Sequence, residues 1–400
     1  MSSGLSLPGT SRWSGSPDVD VVIAAGGSSW EEVAIREVES STVLRLARRC
    51  VDVADLLAVA HTGRAAAAIV SVDLPGLDVD AVAQLERAGV RVAAVEPDGT
   101  RSDALGIRRR LRIGELDDVA LDLATEPVDP VAEHAPVVAV WGPGGAPGRS
   151  TVSIGLASAA AARGIDTVLL DADTYGGALG QMLSVLDDVS GIVAACRAAN
   201  NGRAHEVVDH LLDIDPNLRL LTGLPRADMW PQVRTSALEA VITQLRAAAR
   251  LVVIDCGFSV EPAPGPGAGR NQTAVQVLEQ ADLIVVVGRP EPVGLARLVR
   301  AVHDLSEMLP GREPVIAINM MRSTLGWAER DVRATVARLT GIEPAVHLPL
   351  DQSGLDLAAV SGRTPREAAP SSPFVARIEV LASQVLTSLI SPDALTSARR

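Results

Sequence analysis

The chain has no lysine: all 36 basic residues among its 400 are arginine. Aromatic residues make up only 2% of it, so its cores must be built from Ala, Val, Leu and Ile, which suits parallel sheets covered by helices on both faces. The three cysteines, Cys50, Cys196 and Cys256, are far apart and odd in number. That leaves no paired spacing for a disulfide framework, a zinc site or an iron–sulfur cluster, and reads as reduced, buried thiols. Positive charge is in deficit, 49 acidic groups against 36 basic ones for a net −13, which argues against nucleic acid as the main partner. No apolar run reaches the roughly 18 residues needed to cross a bilayer, and no signal peptide precedes the first strand, so a cytoplasmic protein is expected. At 400 residues the chain is long enough for two domains with sizeable cores.

Residues 1–17 are rich in Ser, Gly and Pro and are expected to form a disordered tail, as are residues 392–400. From 18 to 124 an α/β pattern runs through apolar strands at 20–26, 42–47, 66–73 and 90–96 and helical spacings at 53–63, 79–89 and 117–125. The size and order resemble a flavodoxin-like receiver domain with Asp73 in the phosphoacceptor place. Ala25, Gly26 and Gly27 stand where a receiver needs an acidic pair for magnesium, and the lysine such a domain needs is absent, so the domain is expected to be a degenerate, non-phosphorylated pseudo-receiver. Arg108 to Arg110, with Arg112, read as a solvated face. The prolines and charges of residues 125–136, TEPVDPVAEHAP, mark a linker.

A second domain, 137–391, opens on VVAVWGPGGAPGRST, residues 137–151. An apolar strand breaks into four glycines and two prolines, and a helix-like segment follows at 152–164. Such a loop suits phosphate, because residues without a Cβ let successive N–H groups turn inward and the next helix adds its positive end. The spacing is unusual: five residues separate Gly142 from Gly148, and Arg149 stands where the common pattern has lysine. Further strands are read at 166–173, 219–225, 250–257, 281–288, 314–319 and 347–351, and helices at 236–249, 292–307 and 328–339. Residues 261–270, EPAPGPGAGR, read as a flexible loop. Phe374, Ile378, Leu381, Val385 and Leu389 give a last helix one apolar stripe for the sheet. Asp171, Asp173 and Asp255 end strands, where ligands of open α/β sheets sit. Asp255 is placed to hold magnesium through a water or to orient an attacking water, and the Ser150 hydroxyl to bind magnesium directly.

Taken together, GPGGAPGRST, VLLDADTYGGALGQML, LVVIDCG, ADLIVVVGRPEPVGLARL, IAINMM and HLPLDQSGLDLAAVSGRTP resemble the MinD/ParA ATPases, SIMIBI-class P-loop proteins with a deviant Walker A loop. With a receiver-like domain in front, the chain looks like the CpaE-like branch, and most like its actinobacterial members, which include septum-site-determining (Ssd) proteins and proteins of Flp/Tad pilus loci. The resemblance implies a phosphate loop of Gly142, Pro143, Gly144, Gly145, Ala146, Pro147, Gly148, Arg149, Ser150 and Thr151. It implies water-positioning by Asp173 or Asp171, Walker B magnesium chemistry at Asp255, and adenine contacts by Asn319 and by the loop from Pro349 to Asp351. The implied ligands are ATP or ADP with magnesium. The implied assembly is a nucleotide-dependent homodimer, with protein partners met through residues 18–124 and any membrane association indirect.

The implied role is a cytoplasmic positioning switch, recruited to the septum, a pole or the inner face of the membrane, that regulates division or pilus assembly. Pro143 replaces the family's signature lysine, Pro147 removes a backbone donor, and Arg149 is planar where lysine is compact. Nucleotide binding is therefore expected ahead of turnover of ATP and water to ADP and phosphate. The alternative is a pseudo-ATPase that serves as an interaction scaffold.

Overall fold

The computed structural model describes residues 19–60, 62–96, 101–102, 105–107, 109–119, 134–145, 147–185, 189–262 and 269–389. The expected terminal tails, residues 120–125 of the expected helix, most of the linker and of the 261–270 loop, and Ala146 lie outside them. The chain is α/β and divides into two compact units, Met1–Pro130 and Val131–Arg400.

In the first unit β1 (Val19–Ala24), α1 (Glu31–Ser40), β2 (Leu44–Arg49), α2 (Val53–Ala60), β3 (Ala67–Ser71), α3 (Val79–Arg87), β4 (Arg91–Val95) and β5 (Arg109–Leu111) follow one another. The strands form one parallel sheet in the order β2-β1-β3-β4-β5, the flavodoxin-like arrangement. Alternate residues of β1 go to opposite faces: Val22 and Ala24 join one core, Val21 and Ile23 the other. Helix α1 was not legible from apolar spacing, because it buries only Ala34 and Val38 as apolar residues; Glu31 is buried with them and ion-paired to Arg49. Of the arginines read as a solvated face, Arg108 lies outside the described residues, Arg109 and Arg110 lie on the edge strand β5, and Arg112, just beyond it, is exposed. Arg109 Nη2 donates to Asp118 O at 3.4 Å and Arg110 Nε to Ser102 Oγ at 3.2 Å.

The second unit runs β6 (Val137–Trp141), α4 (Arg149–Ala161), β7 (Thr167–Ala172), α5 (Gly191–Asn200), β8 (Leu212–Asp215), β9 (Leu218–Leu221), α6 (Thr235–Ala248), β10 (Leu251–Cys256), α7 (Gln272–Gln280), β11 (Leu283–Gly288), α8 (Pro292–Met308), β12 (Val315–Met321), α9 (Glu329–Thr340), β13 (Val346–Pro349), α10 (Gln352–Ser361) and α11 (Pro373–Leu389). The order in the sheet is β13-β12-β11-β6-β10-β7-β9-β8, parallel except for the antiparallel edge pair β8–β9. All five residues of β6 are buried. Val137, Ala139 and Trp141 face the core formed with α5 to α9, while Val138 and Val140 face the core formed with α4 and α11.

Helix α4 lies between the sheet and α11, so Val152 through Ala161 are all buried. Its small residues follow from that: a Cβ on Gly155 would stand 3.2 Å from the Ile378 side chain. Phe374, Ile378, Leu381 and Val385 of α11 are buried against this core, as the stripe predicts. The cysteines are free and buried. No helix among the described residues is long and apolar enough to cross a membrane.

Candidate functional site

The glycine-rich loop leaves β6 between its neighbours β10 and β11. Three of its glycines are held by close approach or by backbone conformation. A Cβ on Gly142 would fall 2.3 Å from the Val287 carbonyl oxygen, one on Gly145 2.2 Å from Arg297 Nη1, and one on Gly148 2.4 Å from Asn319 Nδ2. Gly145 and Gly148 also have φ of +111° and +89°, a region L side chains avoid. Helix α4 begins at Arg149, after a Gly148 with no side chain to cap it, so the N–H groups of its first turn are available to an anion.

Arg149 does not reach outward. Its guanidinium donates to the carbonyls of Cys256 at 3.1 Å, Gly142 at 3.2 Å and Pro143 at 3.1 Å, and Nη2 lies 3.8 Å from Asp173 Oδ2. It ties the loop to the end of β10, which corrects the simple picture of a side chain waiting in the lysine position: the planar fork finds carbonyl partners on the loop itself.

Ser150 and Ser153, one turn apart on α4, both turn hydroxyls to Asp255, Ser153 Oγ at 2.9 Å from Oδ1. Thr151 sits half-buried in the same turn. Asp255 pairs in register with Asp171 on β7, and both are 1% exposed. Burial raises both carboxyls above the ordinary range, and for Asp171 the Asp255 charge adds to it. Asp171 sits in a cage: it accepts from the N–H groups of Leu179 at 3.0 Å and Asp173 at 3.2 Å, and a Cβ on Gly223 would fall 2.5 Å from its Cγ. Asp173 lies beyond the end of β7 and accepts from the Tyr175 N–H at 2.8 Å. The strand-end pair thus separates into a caged carboxyl and one beside Arg149.

Asn319 on β12 is 3% exposed; its Nδ2 donates to the Pro147 carbonyl at 2.8 Å, and its Oδ1 accepts from the Met320 N–H at 2.9 Å. Pro349 ends β13, the edge strand next to β12. Asp351 caps α10, accepting from the Gly354 N–H at 3.1 Å, and also accepts from Ser372, which holds its carboxyl below the usual value. Among the described residues no group of three or more His, Cys, Asp or Glu side chains is placed to hold a metal.

Several residues at the site escaped the sequence. Arg289 Nη1 donates to Gly145 O at 3.4 Å and Arg297 Nη1 to Gly144 O at 3.2 Å. The Tyr175 ring stands 4.7 Å from that of Phe258 and 3.9 Å from the Arg270 guanidinium, while its hydroxyl donates to Asn271 Oδ1 at 2.7 Å. Scarcity was the available signal, since the chain's one tyrosine packs on one of its two phenylalanines. In the first unit, Asp73 is exposed, two residues past the end of β3, and ion-paired with Arg101.

No family model matches the chain, and no curated protein does. Solved structures do. A ParA family ATPase from Chlorobium tepidum TLS aligns with a TM-score of 0.53 at 17% identity, over 63% of this chain and 99% of that one. The cell division ATPase MinD of Pyrococcus furiosus gives 0.51 at 18% over 63% and 98%. The septum site-determining protein MinD of Pyrococcus horikoshii OT3, solved with Mg-ADP, gives 0.52 at 18% over 64% and 97%. The first unit, Met1–Pro130, is too short to supply such a share. The second unit, Val131–Arg400, has the P-loop α/β fold of the ParA and MinD ATPases.

Proposed function

We propose that residues 137–391 form a MinD/CpaE-like, ATP-binding positioning switch with weak hydrolysis at most. One observation carries the reading: a glycine loop with two left-handed glycines opens onto the uncapped start of α4, and Ser150 of that first turn meets the buried Asp255. The loop fits a phosphate chain, because Gly145 and Gly148 take backbone conformations that L side chains avoid and the N–H groups of the first turn of α4 carry no side-chain cap. The oxygen donors Ser150 and, through a water, Asp255 suit magnesium, which keeps waters and phosphate oxygens and asks few protein ligands. Bound magnesium would supply charge neutralisation on the phosphates. Of the two strand-end carboxyls, Asp173 beside Arg149 is the one assigned to orient water, and Asn319 with the Pro349–Asp351 loop is assigned to the adenine side.

The MinD structures that share this fold are of cell-division proteins, one with Mg-ADP bound, and the switch is assigned to septum placement or to Flp/Tad pilus assembly. Nucleotide would bias a homodimer, and residues 18–124 would meet protein partners. A pseudo-ATPase scaffold is the second reading, favoured by the three carbonyl contacts that occupy Arg149. A fluorescent ATP analogue, titrated with and without magnesium and followed by a phosphate-release assay, tests both. Saturable binding with slow release supports the switch; binding without release leaves a non-hydrolysing switch; no saturation at high micromolar analogue leaves the scaffold.

A further inference from the structure

The loop has a second cation that the P-loop pattern does not contain. Arg297 stands in the second turn of α8 and donates Nη1 to the Gly144 carbonyl at 3.2 Å. The same nitrogen occupies the space a Cβ on Gly145 would need, 2.2 Å away. Gly145 is fixed as glycine by its own φ of +111°, and the Arg297 guanidinium lies against it. Arg289 approaches the next carbonyl, Gly145 O, at 3.4 Å, but its charge is already paired with Glu291 at 2.5 Å. Arg297 has no carboxylate within ion-pair distance among the described residues. Arg149, the cation inside the loop, spends its donors on carbonyls. Among the described residues the cation at the loop without an ion-pair partner is Arg297, at the rim of a cleft of about 480 Å³ whose other charged lining residues are Glu261, Arg300 and Asp304.

We propose that Arg297 reads the charge of the bound nucleotide, favouring triphosphate over diphosphate by pairing its guanidinium with the phosphate chain at the Gly144–Gly145 end of the loop. The contact with Gly144 O pre-sets the side chain, so little rotamer freedom is lost when an anion arrives. Arginine's fork can keep one donor on the carbonyl while others meet phosphate oxygens. An added phosphate brings added negative charge, which an unpaired cation rewards and a neutral loop does not.

This inference rests on the reading of residues 142–151 as a nucleotide site, and binding by the unaltered full chain separates the two. ATP and ADP are titrated with magnesium into the wild type, Arg297→Gln, Arg297→Lys and Arg338→Gln, with a thermal melt of each. Loss of one charge-assisted contact is expected to weaken ATP binding about tenfold in Arg297→Gln. ADP binding should change much less, Arg297→Lys should recover most of the loss, and Arg338→Gln, exposed on α9 and outside the cleft, should match the wild type. The difference should shrink as salt is raised. Equal weakening of ATP and ADP, an unchanged Arg297→Gln, or the same loss in Arg338→Gln overturns the proposal while leaving the nucleotide site standing. Absence of binding by the wild type overturns both.

Discussion

Asp171 and Asp255 stand in register on the adjacent parallel strands β7 and β10, each 1% exposed. Two carboxyls in that position cannot both ionise without cost, and burial holds both above the usual carboxylate range. Through that raised window the folded chain keeps protons that the unfolded chain has released. Stability therefore falls as pH rises through it, by about 1.4 kcal/mol per pH unit for each proton of difference. Urea melts at pH 5 and pH 8 should show the fall. Asp255→Asn, whose Ser150 and Ser153 partners can rotate to donate or accept, should lessen it by removing the repulsion on Asp171. A variant whose stability falls as steeply as the wild type's would show that the pair is not the cause.

Gly148 is constrained by its backbone and by a neighbouring side chain at once. Gly148→Ala puts a Cβ into a backbone with φ of +89° and against Asn319 Nδ2, whose donor serves the Pro147 carbonyl. The expected loss is about 1–3 kcal/mol of stability from backbone strain, with nucleotide affinity falling more than the melt alone explains. Calorimetry of the melt and titration of the same sample check the two parts separately.

Arg149→Lys keeps the charge but replaces a fork that joins Cys256, Gly142 and Pro143 carbonyls by one ammonium. It should lower the stability of the nucleotide-free protein by about 1–3 kcal/mol, the range for lost hydrogen bonds to a charged group. If the arginine restrains turnover by holding the loop, phosphate release per bound nucleotide should rise in the same variant. An unchanged release rate would place the restraint elsewhere.

Tyr175 joins the segment after β7 to Arg270 and Asn271 just before α7 and to Phe258 after β10. Tyr175→Phe removes one hydrogen bond and should cost about 0.5–1.5 kcal/mol. Tyr175→Ala also removes the ring contacts and should cost more. Chemical denaturation of both orders the two contributions, and equal costs would assign the whole effect to the hydroxyl.

Most sheet strands were legible as short apolar runs, as in β6 before Gly142 and β10 around Asp255, but β5 and β8 were not: two of the three residues of β5 are arginines, and β8 alternates Leu212 and Ile214 with Asp213 and Asp215. The last helix was legible because Phe374, Ile378, Leu381 and Val385 repeat at helical spacing on a buried face. Helix α1 was not, since one of its three buried residues is Glu31, whose burial depends on Arg49 of a later strand. Helix α10 was hidden for a different reason: only Ala358 of its residues is buried, and its start is set by the Asp351 cap. At the site, the loop and its carboxyls follow a linear pattern, and the cage around Asp171 does not. Nothing local announces that Gly223 approaches Asp171, or that Arg297, far along the chain, lies on Gly144 and Gly145. Such contacts are fixed by which strands neighbour one another, and the order β11-β6-β10-β7 is a property of the folded sheet.

The central claim is that nucleotide phosphates are held by the loop at 142–151 beside Asp255. Amide hydrogen exchange of the full chain with and without magnesium and ATP tests it most directly. The account predicts slower exchange at residues 142–151 and at the end of β10, concentrated on the N–H groups from Gly144 to Thr151. Unchanged exchange there in the presence of saturating nucleotide, or protection confined to other segments, would contradict it.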